Sequence, residues 1–172
     1  MKLLMIGSSI LKNWKQLVKL DKMSVINNSK CGSTTEYQLK NFDELVLNTN
    51  PSVIIWYCGS NDVVNNVTVY SIILNTLKWI NKVHLLYPNC KILLLSIIKS
   101  PFQLKNNNGK IITFINDVLC NIVKNNKNRI YVNINPYIEN NNEPIQHYYK
   151  KDNIHLTNSA YKKLTSIVLQ CL

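Results

Sequence analysis

Five short apolar runs, separated by longer segments of helical period, constrain the fold of this chain more than any other feature. The runs are Leu3 to Ile6, Ser24 to Ile26, Val53 to Tyr57, Ile92 to Ile97 and Ile130 to Ile134. All have strand length and several are β-branched. Between them, Asn66 to Leu86 carries Val69, Ile73, Leu77 and Ile80 at helical spacing, and Ile111 to Val123 carries Ile111, Ile115, Val118 and Ile122. After Thr157, a suitable N-cap, a last helix is expected to turn Tyr161, Leu164, Val168 and Cys171 inward. These three stripes are expected to face the core. Strands alternating with helices predict an α/β chain whose parallel sheet is covered on both faces. In such folds ligands bind beyond the carboxyl ends of the strands, where strand order reverses.

The length, 172 residues, suits one domain spanning residues 1–172 and hence one active site. No run approaches the roughly 20 apolar residues a membrane span needs. The opening Met1 to Ile6 is too short for a signal-peptide core and reads as the first strand. Cys31, Cys58, Cys90, Cys120 and Cys171 are odd in number and widely spaced, with no C-x-x-C pair, so reduced thiols and a cytoplasmic location are expected.

A formal charge of +11 raises nucleic acid as a partner. The pattern argues against it, because Arg129 is the one arginine, the lysines are scattered, and no basic run interleaves with aromatics. Asparagine is abundant at 27 residues, and together with lysine and isoleucine that is the mark of AT-rich codons. Much of the charge then follows from base composition, with a mild bias toward anionic substrates. The asparagine clusters at 106–108, 125–128 and 140–142 are expected to be loops.

Three polar, glycine-containing stretches follow the first three strands: Gly7-Ser8-Ser9, Cys31-Gly32-Ser33-Thr34 and Gly59-Ser60-Asn61-Asp62. In a doubly wound sheet they meet on one rim. Ester hydrolysis needs a hydroxyl nucleophile, a histidine to take its proton, a carboxylate to orient that histidine, and donors facing the oxyanion. Ser9 can supply the first, although a lone serine at such a turn is more often an N-cap. Asp152-Asn-Ile-His155 can supply the next two, although a capping Asp beside a surface His is the commoner explanation of a lone D-x-x-H. Asn61 can present an amide N–H and Gly32 a backbone N–H, while Asp62 braces its loop; each is also ordinary turn chemistry. His84 falls late in a helix and His147 in a loop without a carboxylate at comparable spacing. No two histidines have metal-ligand spacing, and no metal is expected. Without a G-x-G-x-x-G or G-x-x-x-x-G-K-[ST] after the first strand, no nucleotide or other cofactor is expected either.

Taken together and in order, these stretches resemble the SGNH hydrolase family, the GDSL-like esterases, over nearly the whole chain. The first block is Gly7-Ser8-Ser9-Ile10 with Trp14 following, and the second is Cys31-Gly32-Ser33-Thr34-Thr35. The third is an intact G-x-N-D at Gly59 to Asp62, and the last is an intact D-x-x-H-L at Asp152 to Leu156 followed by Tyr161. The resemblance implies a flavodoxin-like three-layer α/β/α sandwich with a central five-stranded parallel sheet. It further implies a Ser9–His155–Asp152 triad, with the Ser9 and Gly32 N–H groups and the Asn61 side chain forming the oxyanion hole. Ser8 stands where the family usually has Asp, which affects the positioning of the first turn rather than the triad. Cys31 stands where a second glycine is common.

The function expected from the resemblance is hydrolysis of small acyl, especially acetyl, esters of a carbohydrate or lipid alcohol through an acyl-enzyme. An O-acyltransferase using the same triad, and a binding module that has kept only the fold, are the alternatives. The segments Lys99 to Lys110 and Pro136 to Lys151, with Tyr148 and Tyr149, are the expected substrate wall.

Overall fold

The computed structural model describes residues 1–18, 20, 23–124 and 126–172, so Asn125 of the second asparagine cluster lies outside the described residues. Five parallel strands form the centre: β1 (Lys2–Gly7), β2 (Ser24–Asn27), β3 (Val53–Tyr57), β4 (Lys91–Leu95) and β5 (Arg129–Val132), in the order β2-β1-β3-β4-β5. That is the flavodoxin-like order, and its reversal point lies between β1 and β3. Nine helices flank the sheet among the described residues: α1 (Ser9–Lys12), α2 (Lys15–Val18), α3 (Thr35–Lys40), α4 (Phe42–Val46), α5 (Ser60–Val64), α6 (Val69–Leu86), α7 (Pro101–Lys105), α8 (Gly109–Val123) and α9 (Asn158–Leu169). A small antiparallel hairpin, β6 (Glu139–Asn140) with β7 (Glu143–Pro144), precedes α9.

Side chains alternate between the two faces of a strand, and here both faces are apolar because both are covered. Leu3, Met5, Ile55, Tyr57, Leu93 and Leu95 join one core with Leu11, Trp14, Leu17, Leu164 and Val168. Leu4, Ile6, Ile54, Trp56, Ile92 and Leu94 join the other with Phe42, Trp79, Ile80, Ile115 and Leu119. The result is a three-layer α/β/α sandwich, as the resemblance implies. No helix among the described residues is long and apolar enough to cross a membrane.

The expected strand ends at Ile97 and Ile134 are too late. The chains diverge after Leu95 and Val132, and the buried Ser96 hydroxyl replaces the ladder by accepting from Ile134 N–H at 2.9 Å and Asn135 Nδ2 at 3.1 Å. Two helix stripes are also rotated from their expected faces. In α6 the buried residues are Ile72, Thr76, Trp79, Ile80 and Val83, whereas Val69 and Ile73 pack at the core margin and Leu77 is half-buried. Trp79 dominates the choice because it stacks beside Trp56 and Phe42 at ring separations of 5.6 and 5.8 Å. Thr76 tolerates burial by bonding Ile72 O at 2.8 Å. In α8 Ile112, Ile115, Asn116, Leu119 and Val123 are buried, while Ile111 and Ile122 are exposed and Val118 half-buried. Asn116 accepts from Ile97 N–H at 2.8 Å and donates to Ile97 O at 2.9 Å, so a polar residue fixes the inward face of that helix. Helix α9 turns Tyr161, Leu164 and Val168 inward, capped by Thr157, whose hydroxyl accepts from Ala160 N–H; Cys171 lies past its end and is half-buried.

Among the described residues the asparagine clusters fall in or beside turns, with Asn140 ending β6. Asn107, Asn141 and Asn142, with Asn48, Asn50, Asn66 and Asn153, adopt left-handed backbone conformations that asparagine tolerates better than most residues.

Candidate active site

Strand β1 ends on Gly7, directly beside Tyr57 of β3. The Gly7 carbonyl accepts from Lys30 N–H at 2.9 Å, the Ser33 hydroxyl at 3.0 Å and Gln38 Nε2 at 3.3 Å, which ties the loop after β2 to the end of β1. The Ser8 N–H donates to Tyr57 O at 3.1 Å, so the chain turns sharply and Ser9 opens α1 half-buried at the rim. Ser8, where the family usually has Asp, is buried, and its hydroxyl has no hydrogen-bond partner among the described residues.

Asp152 and His155 lie on a loop closed by an antiparallel bridge between Tyr149 and Leu156 and by Lys150 N–H to His155 O at 2.7 Å. Their three-residue spacing is closed by a single non-helical turn. The Asp152 Oδ1 accepts from Ile154 N–H and His155 N–H, both at 2.9 Å, in a side-chain-closed turn made possible by Asn153 at φ 60°. That leaves Oδ2 to meet His155 Nδ1 at 2.8 Å, and His155 Nε2 lies 3.0 Å from Ser9 Oγ.

Partial burial alone would raise the Asp152 carboxyl, but hydrogen bonds from the His155 backbone, the His155 ring and the Ile154 N–H outweigh it and hold it at about 2. An ionised carboxylate only accepts, so Nδ1 carries the imidazole proton and Nε2 offers its lone pair to the Ser9 hydroxyl. Since the folded value lies below the unfolded one, Asp152 contributes stability that is complete above the unfolded value near 3.8 and is lost as pH falls through about 2. A carbon-detected NMR titration of its side-chain carboxyl is expected to show a midpoint near 2; a midpoint of about 4 or higher would contradict these bonds.

Two long-range contacts hold the halves of this arrangement together. Trp14 Nε1 donates to Thr165 Oγ1 at 2.8 Å, and the Tyr161 hydroxyl donates to Ile10 O at 2.9 Å, with the Trp14 and Tyr161 rings 5.3 Å apart. The segment after Ser9 is thereby fastened to the helix after His155.

On the other side of Ser9, the β2 and β3 loops are cross-linked. Asn61 Nδ2 donates to Ser33 O at 2.9 Å, which leaves its second N–H uncommitted. Asp62 does more than brace its own loop: fully buried, it accepts from Thr35 N–H at 3.0 Å and from the Thr35 hydroxyl at 2.5 Å. Burial raises its carboxyl above the ordinary value, and the Thr35 donors oppose that rise. Gly59, at φ 110°, begins this turn where an added Cβ would lie 2.6 Å from Ile97 Cδ1. Gly32, at φ 75°, is exposed with open space beside it. Among the described residues neither the Ser9 nor the Gly32 N–H has a hydrogen-bond acceptor. A hydroxyl, an imidazole and a carboxylate in series can carry out nucleophilic acyl transfer, with the uncommitted N–H groups of Ser9, Gly32 and Asn61 as candidate oxyanion donors.

A family model described as the GDSL-like lipase/acylhydrolase family matches residues 10–163. The chain belongs to that family. Solved structures agree on the fold. A GDSL-like lipase from Bacteroides thetaiotaomicron superposes with a TM-score of 0.85 at 21% identity, covering 99% of this chain and 86% of that one. A family 3 carbohydrate esterase from Clostridium thermocellum gives 0.77 at 16%, covering 98% and 93%. An acetylxylan esterase from Geobacillus stearothermophilus gives 0.69 at 16%, covering 98% and 92%. No curated protein sequence matches.

The remaining candidates of this GDSL-like hydrolase make no hydrogen bond to Ser9 among the described residues. His84 accepts from Arg129 Nε at 3.3 Å, and burial with the Arg129 charge lowers its pKa. His147 stacks on Tyr148, their rings 4.1 Å apart. Tyr149, expected in the substrate wall, is instead buried in the core, with its hydroxyl pushed far up by burial. Cys31 is exposed beside Gly32, while Cys58 is buried behind the turn, and all five thiols are free. Gln38, Thr35 and Ser33 carry no sequence signal of a role, yet all three fix the loop that presents Gly32.

Proposed function

We propose that this hydrolase is a serine esterase that removes small acyl groups, acetyl above all, from a carbohydrate or lipid alcohol, residues 1–172 acting as one unit. The observation that carries the reading is the series from Ser9 Oγ to His155 Nε2 at 3.0 Å and from His155 Nδ1 to Asp152 Oδ2 at 2.8 Å. Ser9 Oγ attacks the ester carbonyl as His155 Nε2 takes its proton, and Asp152 steadies the imidazolium that forms. The Ser9 and Gly32 N–H groups and the free Asn61 N–H stabilise the oxyanion. The intermediate then collapses, His155 returns the proton to the leaving alcohol, and Ser9 keeps the acyl group. Water activated by His155 repeats the sequence and releases the acid.

Short acyl groups follow from the exposure of the site. The His155 and Asp152 side chains are 31% and 44% exposed, so they stand at an open surface rather than at the end of an apolar tunnel. The carbohydrate esterase and the acetylxylan esterase among the similar folds support the same substrate class. Profiling p-nitrophenyl esters from acetate to palmitate tests this: kcat/KM is expected not to rise from acetate to octanoate, because methylenes left in water gain none of the about 0.8 kcal/mol each that an apolar tunnel would supply. A maximum at octanoate or longer would overturn the short-acyl assignment.

A further inference from the structure

Beyond β4 and β5 the rim carries a second concavity that the triad does not use. A cavity of about 340 Å³ is lined by Lys99, Asp117, Tyr131, Asn133 and Glu139 among others. A wider one of about 710 Å³ shares Lys99, Thr113, Asp117 and Asn142 with it and adds Phe114 and Glu143, so the two form one groove between α8 and the β6–β7 hairpin.

The floor of the groove is built from charge. Lys99 Nζ meets Glu139 Oε2 at 3.1 Å, with the two side chains only 15% and 6% exposed. Glu139 Oε1 is buried and has no partner among the described residues, and the same is true of the Tyr131 hydroxyl. A carboxylate oxygen left unpaired in such surroundings is costly unless a donor reaches it. At the outer lip Phe114 is 58% exposed in the same groove, which leaves much of its ring open to a ligand.

The geometry points to a saccharide-binding site in this groove. A sugar ring offers adjacent hydroxyls that both donate and accept, and an apolar C–H face. The hydroxyls match the Glu139 carboxylate as acceptor and the Lys99 ammonium and Asn133 amide as donors, and the C–H face matches Phe114. Opposite charges on Lys99 and Glu139 already neutralise each other, so a neutral polyol fits better than an anion. The site rests on the esterase reading in one respect: it would hold the alcohol half of the ester. β5 lies three strand intervals from β1, on the order of 14 Å, which a short oligosaccharide can bridge.

Calorimetric titration of the intact protein with xylo-, cello-, chito- and malto-hexaose tests the site. At least one is expected to bind with a Kd of about 1 mM or tighter, and Glu139→Gln and Phe114→Ala are each expected to weaken it by about tenfold or more. Phe114→Ala keeps the test usable if loss of the buried ion pair unfolds the other variant. Failure of all four sugars to bind, or variants that bind as wild type does, overturns the site. Hydrolysis of p-nitrophenyl acetate by the same wild-type sample separates the two claims: turnover without sugar binding overturns the groove alone, and sugar binding without turnover upholds the groove and overturns the esterase reading.

Discussion

Replacing Ser9 by alanine is expected to lower kcat/KM for p-nitrophenyl acetate by roughly a thousandfold or more while leaving thermal unfolding essentially unchanged. The first half of that expectation follows from the proposed role of Ser9 Oγ, whose one side-chain partner among the described residues is His155 Nε2. The second half follows from its position: Ser9 is half-buried at the start of α1, and its hydroxyl caps nothing and fills no core space. His155→Ala is expected to cost a similar factor, and the double variant little more than either alone, because the two groups act as one unit. Kinetics on the three variants beside thermal scans check this. A Ser9→Ala protein within about tenfold of wild type would mean that its hydroxyl forms no acyl-enzyme.

Gly7→Ala is expected to be the most damaging single change to the framework that presents Ser9. A Cβ at that position would lie 2.2 Å from the Tyr57 carbonyl oxygen and 3.1 Å from Leu11 Cδ1. The first obstacle is backbone of the adjacent strand, so relief requires parting β1 from β3 at the point where Ser8 N–H also bonds Tyr57 O. A cost of about 3 kcal/mol or more follows from forcing extra volume into such a contact. For a chain of this size that corresponds to a fall in Tm of roughly 6–12 °C. Activity should fall with it, because Gly7 O also anchors the loop carrying Gly32 through Ser33 and Gln38. Thermal unfolding followed by circular dichroism measures the effect; a Tm within about 2 °C of wild type would show that the strand ends part more easily than this contact implies.

The sheet was legible in the sequence because its signal is local. Runs such as Leu3 to Ile6 and Val53 to Tyr57 are apolar on both faces and followed within two residues by glycine, and they became β1 and β3 nearly to the residue. The rotated stripes of α6 and α8 were not legible, because both helices are apolar over more than half their circumference. Which side turns inward is decided by partners far away in sequence: Trp56 and Phe42 for Trp79, and the Ile97 backbone for Asn116. Polar residues buried through such remote bonds leave only a faint trace in sequence, an asparagine interrupting an apolar helix.

The same division holds at the rim. The motifs drew attention to Ser9, Asn61, Asp152 and His155, and the fold brings Ser9 and His155 together across 146 positions of chain. The bonds that hold the loops did not announce themselves: Asp62 reaching Thr35, and Ser33 reaching Gly7, join segments that no periodicity links. Tyr149 shows the opposite error, since an aromatic six residues before His155 looked available to a substrate and is spent in the core instead.

If His155 makes the Ser9 hydroxyl nucleophilic, a fluorophosphonate should find it, and peptide mass spectrometry of the treated protein locates the adduct. One phosphonyl group per chain is expected, on Ser9, and almost none in the His155→Ala variant. Modification of a different residue, or equal labelling of Ser9 with and without His155, would contradict it.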